Sequence, residues 1–218
     1  MVFTTTNPVP GPVRRGRNEH TFMESLHYWD ASWDLRPAEC PCDVDFITWL
    51  DENQIVDATI YHFGTGAHHH VGIECAKSER RNAVLGITAA PQDYEAFVAL
   101  AIERPDVLRH YNAVFGDIYL LNRKLLPVFD VVTLFHLCEF RGDKNDAYGA
   151  MSDLDLVNLL AEQTRPGGHI LFFPGSFAFD RADHSAKDVI AEWEQQQPVE
   201  CLGRYKSLLV YRKAAAQR

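Results

Sequence analysis

A glycine-rich segment from Ile55 to Gly72 carries the residues best suited to bind a ligand. It reads I-V-D-A-T-I-Y-H-F-G-T-G-A-H-H-H-V-G, in which a β-rich apolar run meets Gly64-Thr65-Gly66 before a segment with helical spacing. Glycines let the backbone turn tightly and approach a ligand closely. The first turn of the following helix offers unpaired N–H groups to an anion. The pattern predicts the opening strand, turn and helix of a nucleotide-binding α/β domain.

Three consecutive histidines, His68, His69 and His70, fall in the first turn of the predicted helix, which spans 67–80. The helix dipole disfavours a positive charge there, so we expect these side chains to be mainly neutral at pH 7. They could line a ligand pocket, bind a metal or lie at the surface. Successive helical positions point in different directions, which makes a shared metal geometrically poor. We expect His68 near the ligand and the other two as partly exposed structural residues.

The cysteines are the other residues that could bind a metal or react. They are irregularly spaced: Cys40, Cys42, Cys75, Cys138 and Cys201. Cys40 and Cys42 could bind a metal, but no second Cys or His pair stands at zinc-site spacing. We therefore predict no metal site. The first twenty residues contain no apolar segment of a secretory signal. An odd set of cysteines without such a signal predicts reduced thiols and a cytoplasmic location.

Composition excludes several classes of protein. The chain has 218 residues, a net charge of -9 and an isoelectric point near 5.5. This acidity argues against general binding to nucleic acids or to anionic membranes. No apolar run approaches the length of a membrane span. We expect one α/β domain with a small-molecule substrate, no nucleic-acid partner and no membrane partner, while homodimer formation stays open.

The N-terminal part of the chain is expected to cover the ligand. Residues 1–19 are rich in Pro and Gly and predict a flexible arm, and residues 20–53 predict N-terminal helices. An aromatic and aliphatic stripe at helical spacing predicts a helix from Thr21 to Ser32: Phe22, Leu26, Trp29 and Trp33. This helix could be a lid above the sheet or an ordinary amphipathic helix packed on the core.

A second N-terminal helix is predicted to follow the cysteines. Asp43 has the character of an N-cap, and the helix extends to about Glu52. Its apolar residues are expected to face inward: Phe46, Ile47 and Leu50.

Residues 54–218 alternate between apolar runs and helical segments. This alternation predicts a Rossmann-like, doubly wound and mostly parallel seven-stranded sheet with helices on both faces. The predicted strands are 55–63, 83–87, 113–115, 129–135, 169–173, 198–202 and 206–212. The remaining predicted elements are helices 92–109, 154–164 and 186–195, a polar loop 141–148 and a turn 166–168. The last two strands lie close together around Gly203 and predict an antiparallel hairpin.

Ligands of such sheets bind beyond the carboxyl ends of the strands, at the switch point of the topology. The candidate binding residues are therefore Gly64 to His68, Thr88, Asp117 and Phe135 to Glu139.

From about Asp43 to Lys213 the order of these motifs resembles the class I S-adenosylmethionine-dependent methyltransferases. H-F-G-T-G-A-H is similar to the first motif of that family, and V-L-G-I-T-A-A-P stands where its second strand and ribose-binding acid belong. F-G-D-I, F-D-V-V-T-L-F-H-L and R-P-G-G-H-I-L-F-F resemble the next three motifs. The resemblance implies S-adenosylmethionine as cofactor and methyl transfer as the reaction.

The resemblance also implies roles for single residues. The family usually has an acid at the position of His62, a third glycine at His68 and an acid at Thr88. A threonine hydroxyl offers the ribose less than a carboxylate does, so Asp93 is a candidate to help. Asp117 is retained and is expected to meet the adenine amine. Two neighbouring apolar residues complete the implied cofactor site: Ile118 in the third motif and Phe135 in the fourth.

Methyl transfer requires mainly positioning and removal of a proton from the nucleophile. His136 and Glu139, near the end of the fourth strand, are the candidate catalytic residues. A core or helix-capping role for His136 and a surface role for Glu139 stay open. Tyr28 and Trp29 are candidates for the substrate wall.

Three functions are compatible with the chain. The first is S-adenosylmethionine-dependent methylation of a small molecule, and the second is a catalytically silent relative that binds a ligand or a partner. The third is a nicotinamide-dependent oxidoreductase, which fits less well because G-T-G-A-H-H lacks the last glycine of G-x-G-x-x-G.

Overall fold

A computed structural model of the protein describes residues 25–215. Within these residues one sheet of seven strands has the order β3-β2-β1-β4-β5-β7-β6. The strands are β1 Thr59–Phe63, β2 Ala83–Thr88, β3 Tyr111–Phe115, β4 Phe129–Leu134, β5 Thr164–Phe172, β6 Val199–Tyr205 and β7 Leu208–Lys213. The α-helices are α1 Cys42–Glu52, α2 His70–Cys75, α3 Pro91–Glu103, α4 Asp143–Ala147, α5 Asp153–Gln163 and α6 Ala186–Gln196. Within 25–215 no helix is both long and apolar enough to cross a membrane.

The topology confirms the doubly wound sheet that the sequence predicts. Strand β1 pairs in parallel with β2 on one side and with β4 on the other. Strand β7 is antiparallel to both β5 and β6, as expected of a C-terminal hairpin. The strand order reverses between β1 and β4, so the switch point lies at the carboxyl ends of these two strands.

Both faces of the central strands β1 and β4 are buried, as a parallel sheet requires. Adjacent residues of β1 point to opposite faces: Ile60 packs with Phe46 of α1, and Tyr61 packs with the cluster that contains Trp193 of α6. Helices α1, α2 and α3 cover one face, and α5 and α6 cover the other. The inward orientation predicted for α1 is confirmed, since Phe46, Ile47 and Leu50 are all buried.

The predicted helix 21–32 is wrong over its described part, because residues 25–36 have no regular secondary structure. Their backbone forms hydrogen bonds just beyond the carboxyl ends of β2 and β1 instead. The Trp29 N–H donates to the Ala89 carbonyl at 3.0 Å, and the Trp33 carbonyl accepts from the Ala67 N–H at 3.0 Å. Trp29 and Trp33 both pack edge-on against Phe140, with ring centroids 5.2 and 5.8 Å apart. The arm 1–19 and Phe22 lie outside the described residues.

The helix that follows the glycine turn is also shorter than predicted. Helix α2 starts at His70, because His69 has a left-handed backbone with φ 45°. His68 and His69 therefore precede the helix, and the placement of all three histidines in its first turn is wrong. Helix α1 starts at Cys42 after an N-cap at Pro41, so Asp43 lies inside the first turn and is not the N-cap.

The remaining differences are local. Helix α3 ends at Glu103, two residues before Pro105, because proline cannot continue a helix and restricts its predecessor. The predicted polar loop 141–148 contains the short helix α4. Residues 166–168 belong to an irregular start of β5, and the final hairpin turns at Lys206, with φ 49°, while Gly203 lies at a register shift inside β6.

Candidate functional site

A cavity of about 190 Å³ lies at the carboxyl ends of β1, β2 and β4, at the switch point of the sheet. The segment 27–43 passes over these strand ends and supplies one wall of the cavity. The lining includes many of the residues predicted from the sequence: Trp29, Gly64, Gly66, His68, Thr88, Ile118, His136 and Glu139. The other predicted residues do not line it: Tyr28, His62, Thr65, Asp117 and Phe135.

The glycine turn needs glycine for two separate reasons. Gly64 and Gly66 have φ values of +86° and +54°, a backbone conformation that other residues adopt at a cost. A Cβ on Gly64 would lie 3.0 Å from the His136 ring, and one on Gly66 would lie 2.8 Å from the Trp33 carbonyl oxygen. The turn therefore brings bare backbone to the cavity and leaves no space for a side chain.

A buried polar cluster lies beneath the turn. The Asp43 carboxylate is 3.8 Å from His62 Nε2 and 3.7 Å from His68 Nε2. Burial lowers the pKa of His62 to about 3 and that of His68 to about 4, and it raises the pKa of Asp43 to about 7. Both rings are therefore neutral at pH 7, so their contacts with Asp43 are not ion pairs. His62 Nδ1 bonds to the Thr133 hydroxyl at 2.8 Å, and Nε2 has no hydrogen-bond partner within the described chain.

His69 is a structural residue and, contrary to expectation, is not partly exposed. Its Nδ1 is 2.7 Å from the Tyr111 hydroxyl, and its Nε2 is 2.9 Å from the Asp93 carbonyl. Only 2% of the residue is exposed, and burial lowers the pKa of the ring. It thus connects the glycine-rich unit to β3 and α3.

Hydrogen-bonded side chains follow the carboxyl end of β4. His136 Nδ1 lies 3.0 Å from Glu139 Oε2. Glu139 Oε1 accepts hydrogen bonds from the Ser176 hydroxyl at 2.5 Å and from the Phe177 N–H at 3.0 Å. These bonds fix the His136 ring at the cavity wall, as a positioned catalytic group requires.

Cys40 and Cys42 approach the same ring. Their sulfur atoms are 3.4 Å apart, and each lies within 4.8 Å of a His136 nitrogen. Hydrogen bonding to Cys42, with a further contribution from His136, lowers the pKa of Cys40 to about 5. Although burial disfavours the charged ring, bonds to Cys40 and Glu139 raise the pKa of His136 to about 10. A protonated ring cannot accept a proton, so the Cys40 thiolate is the basic member of this pair, and the catalytic role of His136 stays a prediction.

Asp117 faces away from the cavity although both of its neighbours, Gly116 and Ile118, line it. One oxygen accepts from the Tyr119 N–H at 2.9 Å. The other accepts from Asn145 Nδ2 at 2.7 Å and from the Tyr148 hydroxyl. Its carboxylate therefore holds the loop after β3 to α4, and its contact with adenine stays a prediction.

Asp93 places a carboxylate close to the end of β2, where Thr88 stands. Thr88 accepts a bond from the Ala90 N–H at 3.1 Å, which leaves its hydroxyl hydrogen to donate. Asp93, in the first turn of α3, lines the cavity and is 3.4 Å from both the Ser32 hydroxyl and the Trp33 N–H. The signal for it in the sequence is an acid one turn into the helix that follows the second strand.

Sequence reasoning missed several residues of the cavity wall: Trp33, Cys40, Cys42, Asp43 and Phe140. The sequence pattern predicts Trp33 only as part of a helical stripe that could be a lid or an ordinary amphipathic helix, and Asp43 only as an N-cap. The spacing of the two cysteines does not show that they meet His136. Tyr28, the predicted neighbour of Trp29 in the substrate wall, is 51% exposed and points elsewhere.

The likeness to solved structures extends over most of the chain. NodS, an N-methyltransferase from Bradyrhizobium japonicum in complex with S-adenosyl-L-homocysteine, matches with a TM-score of 0.56 and 16% identity over 83% of this chain and 89% of that one. CcbJ, a methyltransferase from Streptomyces caelestis, matches with a TM-score of 0.58 and 13% identity over 84% and 94% of the two chains. The protein has the class I methyltransferase fold. No protein-family model and no curated protein matches the chain.

This fold does not by itself determine the reaction. SpnF, described as a [4+2]-cyclase, matches with a TM-score of 0.58 and 13% identity over 89% of each chain. Function must therefore be argued from the cavity and its side chains.

Proposed function

We propose that the protein transfers a methyl group from S-adenosylmethionine to a small-molecule acceptor. The observation that carries this proposal is the lining of one cavity at the switch point of the sheet. Bare glycine backbone, Thr88, Asp93 and Ile118 line it together with His136 and Glu139. A cofactor and an acceptor bound there would meet at the carboxyl end of β4.

The glycine turn and the end of β2 suit the cofactor. Gly64, Thr65 and Gly66 would approach its amino-acid end with backbone, and His62 and His68 would support this turn from below. Thr88 and Asp93 would bond to the ribose hydroxyls, since a carboxylate accepts strong hydrogen bonds from them.

The adenine would lie beyond the ribose, against Ile118 and the loop after β3. Asp117 would meet the adenine amine, a contact that would replace one of its present bonds to Asn145 or Tyr148.

The aromatic part of the lining suits an acceptor with an apolar body. Trp29, Trp33 and Phe140 form an aromatic wall. Phe135 lies in the core, where it packs on His62 and Phe46. His136, held by Glu139, would position the nucleophilic atom. Tyr28 would contribute from the exposed surface beside Trp29.

Production of S-adenosylhomocysteine tests the reaction directly. The folded full chain is incubated with S-adenosylmethionine and a panel of small thiols, phenols, amines and carboxylates, and the demethylated product is measured by mass spectrometry. We expect turnover with at least one class. His136→Ala should reduce it about a hundredfold, because the nucleophilic atom loses its positioning, while changing cofactor affinity little.

Half-buried His110 supplies the control, because His110→Ala should leave turnover unchanged. Tight binding of S-adenosylmethionine without turnover on any class would favour the catalytically silent relative. The replacement of the usual ribose-binding acid by Thr88 is the observation that supports this second candidate.

A further inference from the structure

Two thiols and one imidazole converge at the wall of the cavity. The ligand atoms of Cys40, Cys42 and His136 all lie within 4.8 Å of one another, and the two sulfur atoms are 3.4 Å apart. Ligand atoms of a tetrahedral zinc ion, at bond lengths of about 2.0 to 2.3 Å, are separated by roughly 3.3 to 3.8 Å. Small side-chain movements would therefore bring all three to bonding distance of one ion.

The surroundings of His136 match those of a metal-binding histidine. Such a ring almost always donates its second N–H to a carboxylate, which fixes its tautomer and orientation. Glu139 stands at this position, 3.0 Å from Nδ1, so Nε2 is the nitrogen left for a metal. Glu139 is fixed in turn by Ser176 and Phe177.

We propose that Cys40, Cys42 and His136 bind a Zn²⁺ ion whose fourth position is open to the cavity. Two thiolates balance the charge of the ion, and a site of two sulfurs and one nitrogen favours zinc over harder cations. All three residues line the cavity, so water or a soft anion such as a thiolate can occupy the fourth position. Three protein ligands with one open position are typical of catalytic rather than structural zinc.

A second group of candidate ligands differs in a decisive way. Cys138, Asp153 and His184 also lie within 4.8 Å of one another. Asp153, however, already accepts bonds from the Tyr119 hydroxyl at 2.7 Å, the Cys138 N–H at 3.1 Å and His184 Nε2 at 2.7 Å. This group is satisfied by short hydrogen bonds, whereas the Cys40 and Cys42 sulfur atoms lie 3.4 Å apart and Cys42 reaches Asp43 only at 3.8 Å.

Metal content and cobalt spectroscopy test the site without any assay of methyl transfer. The full chain is purified with a phosphine reductant, analysed for metal by mass spectrometry, stripped with a chelator and reloaded with Co²⁺. We expect stoichiometric zinc and, after reloading, thiolate-to-cobalt charge transfer with the visible bands of a tetrahedral ion. A small added thiol, 2-mercaptoethanol, should strengthen the charge-transfer band by entering the open position.

Variants separate the site from adventitious binding. Cys40→Ser, in a half-buried turn, should abolish stoichiometric zinc and weaken the cobalt bands, and Glu139→Gln should reduce zinc affinity about 10- to 100-fold. Cys201→Ser changes an exposed cysteine on β6 and should alter neither. Circular dichroism checks that each variant is folded.

Folded wild-type protein that gives no thiolate-to-cobalt band would overturn the proposal. So would a Cys40→Ser protein that retains its zinc. These results are independent of methyl transfer, since a protein without zinc can still methylate and a protein with zinc can fail to do so.

Discussion

His62 is a buried histidine whose environment makes the protein sensitive to acid. Its side chain is 2% exposed, and one of its two ring nitrogens has no hydrogen-bond partner among the described residues. Burial therefore favours the neutral ring and lowers its pKa to about 3. A group whose pKa is lower in the folded state stabilises the fold above its unfolded pKa of about 6.5, and this stability is lost as pH falls towards 3.

We predict that lowering the pH from 7 to 5 costs about 2 kcal/mol of unfolding free energy through His62 alone. His62→Phe should remove this part of the pH dependence, and Thr133 would keep its bond to the Tyr61 carbonyl at 3.4 Å. Urea denaturation of both proteins at the two pH values measures the difference. His110→Gln is the matched control, and an equal acid sensitivity in wild type and His62→Phe would refute the assignment.

We expect Asp93 to accept the hydrogen bonds of the ribose hydroxyls, because the Thr88 hydroxyl is a weaker acceptor than a carboxylate. Removing a charged hydrogen-bond acceptor costs roughly 1.5 to 3 kcal/mol, which corresponds to about a tenfold to hundredfold loss of affinity. Asp93→Asn should weaken S-adenosylmethionine binding by this amount in calorimetry. Glu95→Gln, an exposed position on the same helix, should not. Unchanged affinity in Asp93→Asn would assign the ribose to another residue.

Among the elements, the glycine turn and the segment 25–41 depend on each other. The Trp33 carbonyl accepts from Ala67 at 3.0 Å, immediately after the turn, and Trp33 itself packs on Phe140. A Cβ on Gly66 would collide with this same carbonyl at 2.8 Å. The backbone bond between Ala67 and Trp33 is thus one that only a glycine turn allows.

Gly66→Ala should therefore abolish cofactor binding as well as lower stability. Gly149→Ala is a matched control because Gly149 also has a left-handed backbone, at φ +72°, with nothing within 4 Å of an added Cβ. Backbone strain of about 1 to 2 kcal/mol is expected in both variants. Thermal shift with and without S-adenosylmethionine separates the effects, and an equal loss of binding in both variants would show that the turn has no special role.

For the whole molecule, local patterns were sufficient to predict the sheet but not the site. Apolar runs and glycine turns indicate the strands, because these features depend on neighbouring residues. The alternation of strands with helices indicates a doubly wound sheet without giving its strand order. The pairing of Cys40 with His136 depends on tertiary packing between the start of α1 and the end of β4, so spacing alone could not show it. The spacing of Trp29 and Trp33 predicts a helix that is not there for a related reason. Two aromatic residues four positions apart also fit an irregular segment in which both pack on Phe140.

Binding of S-adenosylmethionine is the measurement that tests the account most directly. Equilibrium dialysis of the folded, full-length protein with labelled S-adenosylmethionine requires no knowledge of the acceptor. We predict saturable binding at a single site, competed by S-adenosylhomocysteine but not by NAD or NADP. Folded protein that retains no labelled cofactor, or that releases it to NAD as readily as to S-adenosylhomocysteine, would contradict the proposed methyl transfer.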